Sequence, residues 1–386
     1  MPARPRPYAA PATLVSVAGV LTFAVIALVA LSGAQAAAEQ PKCGDTISAD
    51  TTLHHDLVNC SKNAIVIGAD GITLDLNGHL IDGDETSSSK TCDCAVFNDG
   101  HDGVTVRDGS VREFDIGVLV EHARHNRLLD ISSSRNHFQG LGFFHSARSL
   151  VKNSSGNGST SHDGSGMFLI ASRHVRILDN TFRRNGDHAI TVFRSTHNHI
   201  IGNRLSRNRG AGINMSEGGG TNRNEVRGNR IVRGGDGIDI AGNRNVITRN
   251  HIDHSGGEDG SAISLDAGDH NLIARNSVRD PSVAGIGLGF GRAVDNDIRR
   301  NRVRGAGEDG LRVLAKAEHT LLWHNLAVGA GDDGLDVNSS TTKLTRNEAR
   351  RNGDLGIEAV PGVIDGGGNV ARHNGDPRQC THVACS

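Results

Sequence analysis

One short phrase returns along most of this chain, and its spacing limits the fold more than any other feature. It reads GAGINM, GDGIDI, EDGLRV and GDDGLDV, among others. Its central aliphatic residue is Val118, Leu141, Met167, Ile190, Ile213, Ile238, Ile263, Ile286, Leu311, Leu335 and Ile357, so the mean interval is about 24 residues. Two positions further on the residue is apolar again, from Val120 to Ala359. Between them, in the later copies, stand Thr191, Asn214, Asp239, Arg312, Asp336 and Glu358. In–out–in alternation over so few residues predicts a short, half-buried strand.

The residue before each aliphatic is Gly nine times and Ala twice, at Ala189 and Ala262. Ala is a poor substitute where φ must be positive, so this column predicts close backbone approach at a corner. A second column is Asn: Asn153, Asn180, Asn203, Asn229, Asn250, Asn276, Asn301, Asn325, Asn347 and Asn369. Apolar residues on both sides place a short strand before and after each. An Asn recurring at an inner corner can stack on its neighbours, its amide bonding along the stack. Two or three short strands per repeat, with so many chain breakers, exclude helical repeats and propeller blades. What is left is a parallel β-helix, an all-β solenoid of about thirteen coils with an Asn ladder. Fifty Gly and only 3% aromatics suit a thin core flanked by tight turns.

The ends read differently. Arg4 and Arg6 precede an apolar run and an Ala34-Gln35-Ala36 site, the pattern of a secretory signal peptide over residues 1–36. The alternative is an uncleaved segment that tethers the protein to a membrane. All six cysteines lie beyond it, which favours disulfides in an exported, extracellular chain. Their spacings suggest Cys43–Cys60 and Cys380–Cys385. Cys92 and Cys94 stay unassigned, because a C-x-C bridge is strained. A solenoid needs caps, and residues 37–64 and 377–386 are the candidates, enclosing a β-helix over 65–376. Residues 84–94 interrupt the early spacing and predict a protruding loop. A net charge of -2 gives no global pull toward nucleic acid, and a monomer is expected.

These repeats, with the opening CGDTISADTTLHHDLVNC and the close GGGNVARHNGDPRQCTHVAC, resemble the secreted β-helix repeat family that includes NosD-like and pectate-lyase-like proteins. The resemblance implies a right-handed helix. It says little about activity, since such repeats carry lyases, hydrolases, epimerases and adhesins alike.

In a solenoid, ligand sites are columns across coils. An acidic column holds Glu308, Asp309, Asp332, Asp333, Asp336, Asp354 and Glu358, with Asp236 and Asp239 further up; Glu308, Asp309, Asp332, Asp333 and Asp354 are the candidate metal ligands. It suits Ca²⁺, which takes several carboxylate oxygens, or the paired acids of glycoside hydrolysis. The ordinary reading is polar turn residues. A histidine column holds His137, His162 with Asp163, and Asp187 with His188. A uronate lyase or epimerase needs a base and a group that neutralises the carboxylate; His would be the first and Arg194 or Ca²⁺ the second. The ordinary reading is solvent-facing turn histidines. A basic column, Arg204, Arg230, Arg249, Arg275, Arg300, Arg302 and Arg346, flanks the Asn ladder. It suits an acidic polysaccharide or is a solvated face. NosD-like relatives suggest copper, but the chain has three Met, and its short His pairs are His54-His55 and His197/His199.

The expected function is therefore a secreted protein that binds polysaccharide. If it processes that polysaccharide, a lyase or epimerase is favoured over a hydrolase. The runner-up is a non-catalytic structural or adhesive solenoid.

Overall fold

The computed structural model describes residues 40–86, 93–215, 220–256 and 260–386. The expected signal peptide and Cys92 lie outside the described residues. The described chain is a parallel β-helix without an α-helix. One continuous sheet stacks 14 short strands in sequence order. Two further strand columns complete each coil, as in Ile238–Ala241, Val246–Thr248 and His251–Asp253. All pairings run parallel and join equivalent residues of neighbouring coils: Ile213, Ile238 and Ile263 are in register, and so are Asn214, Asp239 and Ser264.

The repeat dictates this arrangement. Ile238 and Ile240 point inward and are fully buried, as are Ile247 and Ile252 from the other two columns. Each such side chain contributes roughly 1.5–3 kcal/mol when removed from water. None of the Gly residues before the central aliphatic has positive φ. A Cβ on Gly237 would lie 2.4 Å from the Ala262 carbonyl oxygen and 2.8 Å from Ile252. Close approach, not backbone freedom, sets this column.

Asparagine stacks at three corners rather than one. Asn276 donates from Nδ2 to the Ile247 carbonyl (2.9 Å) and to Asn301 Oδ1 (3.1 Å). Its own Oδ1 accepts from the Asn250 backbone N–H (2.9 Å) and amide (3.0 Å). A parallel ladder runs through Asn198, Asn224, Asn245, Asn271 and Asn296. A third includes Asn185 with Asn208, and Asn352 with Asn374. Asn153 does not belong: Ser154 occupies the slot and donates its N–H to Asn180. Asn153 sits one residue earlier, at positive φ.

The ends also differ from the expected boundaries. Strand Asp45–Ile47, within the expected N-terminal cap, already pairs with Ile65–Ile67 and so forms part of the first coil. The expected loop over 84–94 ends earlier, because Cys94 opens strand Cys94–Asp99 and is buried. Cys43–Cys60 and Cys380–Cys385 are disulfides, as expected.

Candidate functional site

The outer face of the 14-stranded sheet carries two interleaved ladders of side chains. One is the residue after the central aliphatic; the other lies two residues before it. The second kind in one coil touches the first kind in the next. Ser165 Oγ lies 3.0 Å from Thr191 Oγ1, and His188 Nε2 lies 2.7 Å from the Asn214 amide. The same rule brings Asp309 beside Asp336 and Asp333 beside Glu358. Along the first ladder the chemistry changes from Phe97, Leu119 and Phe168 in the early coils to Arg312, Asp336 and Glu358 in the last, all in register.

The acidic end is built in two layers. Asp309 and Asp333 are buried, with 2% and 3% exposure. Asp309 accepts from Arg312 Nε (2.7 Å) and from the Asp333 N–H (3.1 Å), while Asp333 accepts from the Leu355 N–H (2.8 Å). Arg312 also pairs with Glu308. Burial pushes the Asp333 carboxyl up to about 8, helped by its hydrogen bond with Glu358 and the Asp332 charge. Above this layer Asp336 is half-buried and Glu358 exposed. Burial, then the Asp309 and Glu358 charges, raise Asp336 to about 6, although Asn338 donates to both its oxygens at 2.7 and 2.9 Å. Asp332 is raised by burial and by Asp309, Asp354 and Glu308.

Of the five expected cation ligands, Asp309, Asp332 and Asp333 bring one oxygen each within 4.8 Å of one another. Glu308 is turned to Arg312, and Asp354 acts on Asp332 from the next coil. Asp336 and Glu358 belong to the expected acidic column, whereas Arg312 is expected only as an outward strand position. Their single available signal was register: charged residues at one slot in three consecutive coils. Further up the same ladder, burial raises Asp239 well above the usual carboxylate range, with Asp236 and Asp266 adding to it.

The histidine column converges in part. Asp187 feels both Asp163 and His162, and burial raises its carboxyl. His162 and Asp163 are exposed, 3.4 Å apart. His188 is held on both sides. Its Nδ1 accepts from the Ala211 N–H (2.8 Å), so Nε2 carries the proton and points it at the Asp187 carboxylate (3.2 Å). Arg194 is not brought to this group. It stands past the far end of strand Ile190–Phe193, roughly 20 Å along the chain from His188, with its guanidinium 5.0 Å over the Phe193 ring. The structure thus separates the expected base from the expected carboxylate partner.

The comparisons with known proteins agree with this architecture. A family described as "Periplasmic copper-binding protein (NosD)" matches residues 57–223 and 165–284, and "Right handed beta helix region" matches 236–374. No curated protein matches the chain. Among solved structures it is similar to a DFA-IIIase from Arthrobacter chlorophenolicus A6, at 12% identity and a TM-score of 0.51, covering 61% of this chain and 66% of that one. It is also similar to the catalytic domain of a GH87 α-1,3-glucanase, at 13% identity and a TM-score of 0.52, covering 80% and 62%. In both cases the chain spans less than two thirds of the relative's length, and at such identity the likeness concerns the fold. Periplasmic relatives and two disulfides are consistent with an extracellular or periplasmic location. The chain belongs to the NosD-like family of right-handed parallel β-helix proteins.

Proposed function

We propose that this protein binds a polysaccharide across the outer face of the long sheet and hydrolyses glycosidic bonds at the carboxyl cluster of its last coils. One observation carries the reading. Asp336 and Glu358 stand on adjacent strands, facing outward, over the buried Asp309 and Asp333, with the half-buried Arg312 next to Asp336 in the same row. Neighbouring strands are about 4.8 Å apart, close to the roughly 5–5.5 Å between carboxyl groups in retaining glycosidases. Asp336, at about 6, gives its proton to the departing glycosidic oxygen. Glu358, hydrogen-bonded to Asp333, attacks the sugar carbon as the glycosidic bond breaks, and water deprotonated by Asp336 then displaces Glu358 from the glycosyl-enzyme to free the sugar. Pairs of carboxyls pushed apart in pKa by their surroundings are the usual source of such acid and base roles.

This reading displaces the lyase or epimerase preference for two reasons. Both nitrogens of His188 are engaged, Nδ1 by the Ala211 N–H and Nε2 by Asp187, and a carboxylate-rich face repels a uronate. The glucanase domain with a similar fold was solved with tetrasaccharides, which supports carbohydrate as the ligand class.

Ca²⁺ at Asp309, Asp332 and Asp333 is the second reading, favoured by the closeness of their oxygens. The ion would have to displace Arg312 from Asp309. Copper fits less well. Copper sites draw on imidazole, thiolate or thioether donors. Among the described residues, each group able to share an ion has at most one His. His199 is turned to Glu225, and His197 stacks on His174.

The test is incubation of the protein with a panel of neutral and acidic polysaccharides, with and without Ca²⁺. Reducing ends are assayed alongside unsaturated uronate absorbance. Release of reducing ends that Asp336→Asn abolishes supports hydrolysis. Absorbance without hydrolysis restores the lyase reading, and binding without either leaves a structural solenoid.

A further inference from the structure

The corner before the central Asn ladder holds a column whose make-up changes abruptly. In register it reads Asp130, Asn153, Asp179, Gly202, Gly228, then Arg249, Arg275, Arg300, His324 and Arg346. Every one of these residues has positive φ. Gly, Asn and Asp suit that conformation; Arg gains nothing from it. The backbone requirement is the same in all ten coils, so it does not explain why five consecutive coils switch to a basic side chain.

Ion pairing does not explain it either. Among the described residues, no carboxylate lies within ion-pair distance of Arg249, Arg275, Arg300 or Arg346. The nearby Arg227 and Arg299, by contrast, pair with Glu225 (2.8 Å) and Asp297 (3.3 Å). The ladder arginines are exposed and separated by one strand spacing, about 4.8 Å. Like charges at that spacing repel one another until an anion lies along them.

The column borders a groove of about 560 Å³ lined by Arg249, Arg275, Arg300, Leu272, Ala274 and Trp323. Trp323 is the chain's one tryptophan. It is half-buried, and the Arg300 guanidinium lies 4.6 Å over its ring. This groove opens on a different strand column from the carboxyl cluster. It combines a row of unpaired guanidiniums with an apolar floor and an indole wall.

We infer that this arginine groove binds an acidic polysaccharide bearing carboxylates on its sugar rings, as a holding site separate from the carboxyl cluster. Guanidinium forks match carboxylates in bidentate geometry. The indole and the Leu272–Ala274 floor accept the C–H face of a pyranose. Single-stranded nucleic acid fits less well, because it calls for several aromatic platforms for successive bases and the groove has one. The inference does not rest on the hydrolase reading, since it concerns binding on another face.

The test uses the whole protein and polygalacturonate. Trp323 makes intrinsic fluorescence a direct reporter. Titration in low salt is expected to change the emission, and raising the salt to reverse the change. The variant Arg249→Asn/Arg275→Asn/Arg300→Asn is expected to weaken binding at least tenfold. Asn suits the backbone here, as Asn153 does in the same slot, so circular dichroism and Tm should not move. Asp336→Asn should bind as the unaltered protein does, which separates this site from the catalytic one. Equal binding by the triple variant overturns the inference. So does equal binding of neutral dextran, or tighter binding of dextran sulfate or single-stranded DNA than of polygalacturonate.

Discussion

Asp336 illustrates how a strand position becomes a chemical group. Alternation sends it outward, but the neighbours above and below are Arg312 and Glu358, and Asp309 stands beside it. A general acid must carry its proton, so turnover is expected to fall as pH rises through about 6. Asp336→Asn is expected to lower it by roughly 10²-fold or more, measured as reducing ends released. Asp333 makes a separate statement about stability. Its folded carboxyl, near 8, lies above the unfolded value of about 3.9. The folded state then holds the proton more tightly, so this contribution is complete at low pH and is lost as pH rises from about 4 through about 8. Thermal melts should show Tm declining over that window, and Asp333→Asn should flatten the decline.

At the level of the coil, the corners matter more than the strands. Most strands are three residues long and cannot stand alone. The Asn ladders supply what they lack, because each amide satisfies backbone groups in both neighbouring coils. Asn276→Ala would strand the Ile247 carbonyl and the Asn250 N–H in a buried corner. Each such group costs about 1–3 kcal/mol, so a loss of about 3 kcal/mol is expected in chemical denaturation. A substitution at the exposed Asn153 one residue out of the slot should cost far less. The Gly column works by exclusion: Gly334→Val would drive its side chain into the Gly356 carbonyl oxygen and the Asn352 amide, both 2.5 Å from the first added carbon.

The described chain is a stack whose two ends are its weak points. The last strand of the 14-stranded sheet, Ile357–Ala359, is closed by the C-terminal tail. Ala359 donates to Thr381 Oγ1 (2.9 Å), Gly356 donates to the Gln379 carbonyl (2.9 Å), and the Cys380–Cys385 disulfide fixes the loop. Exposed strand edges template association. Removing residues 376–386 is therefore expected to make the protein self-associate, visible as a rise in light scattering with concentration. Length also gives the stack room for two separated surfaces: an acidic one on the long sheet and a basic one along the Asn corner.

Much of this was legible in the sequence, for a physical reason. A solenoid places residue n against its equivalent about one repeat later, so the repeat itself names the contacts. The inward aliphatics, the close-packed Gly column and the central Asn ladder follow from that periodicity, and the two disulfides follow from the short spacing of their cysteines. What it could not give was depth and orientation within a coil. The side chain two residues before the aliphatic turns onto the same outer face as the one after it. That turn joins Asp333 to Glu358, engages both nitrogens of His188, and leaves Arg194 at the other end of its strand. Whether a carboxylate is an ordinary turn residue or a proton donor depends on burial and on charges brought in from other coils, which only the folded stack decides.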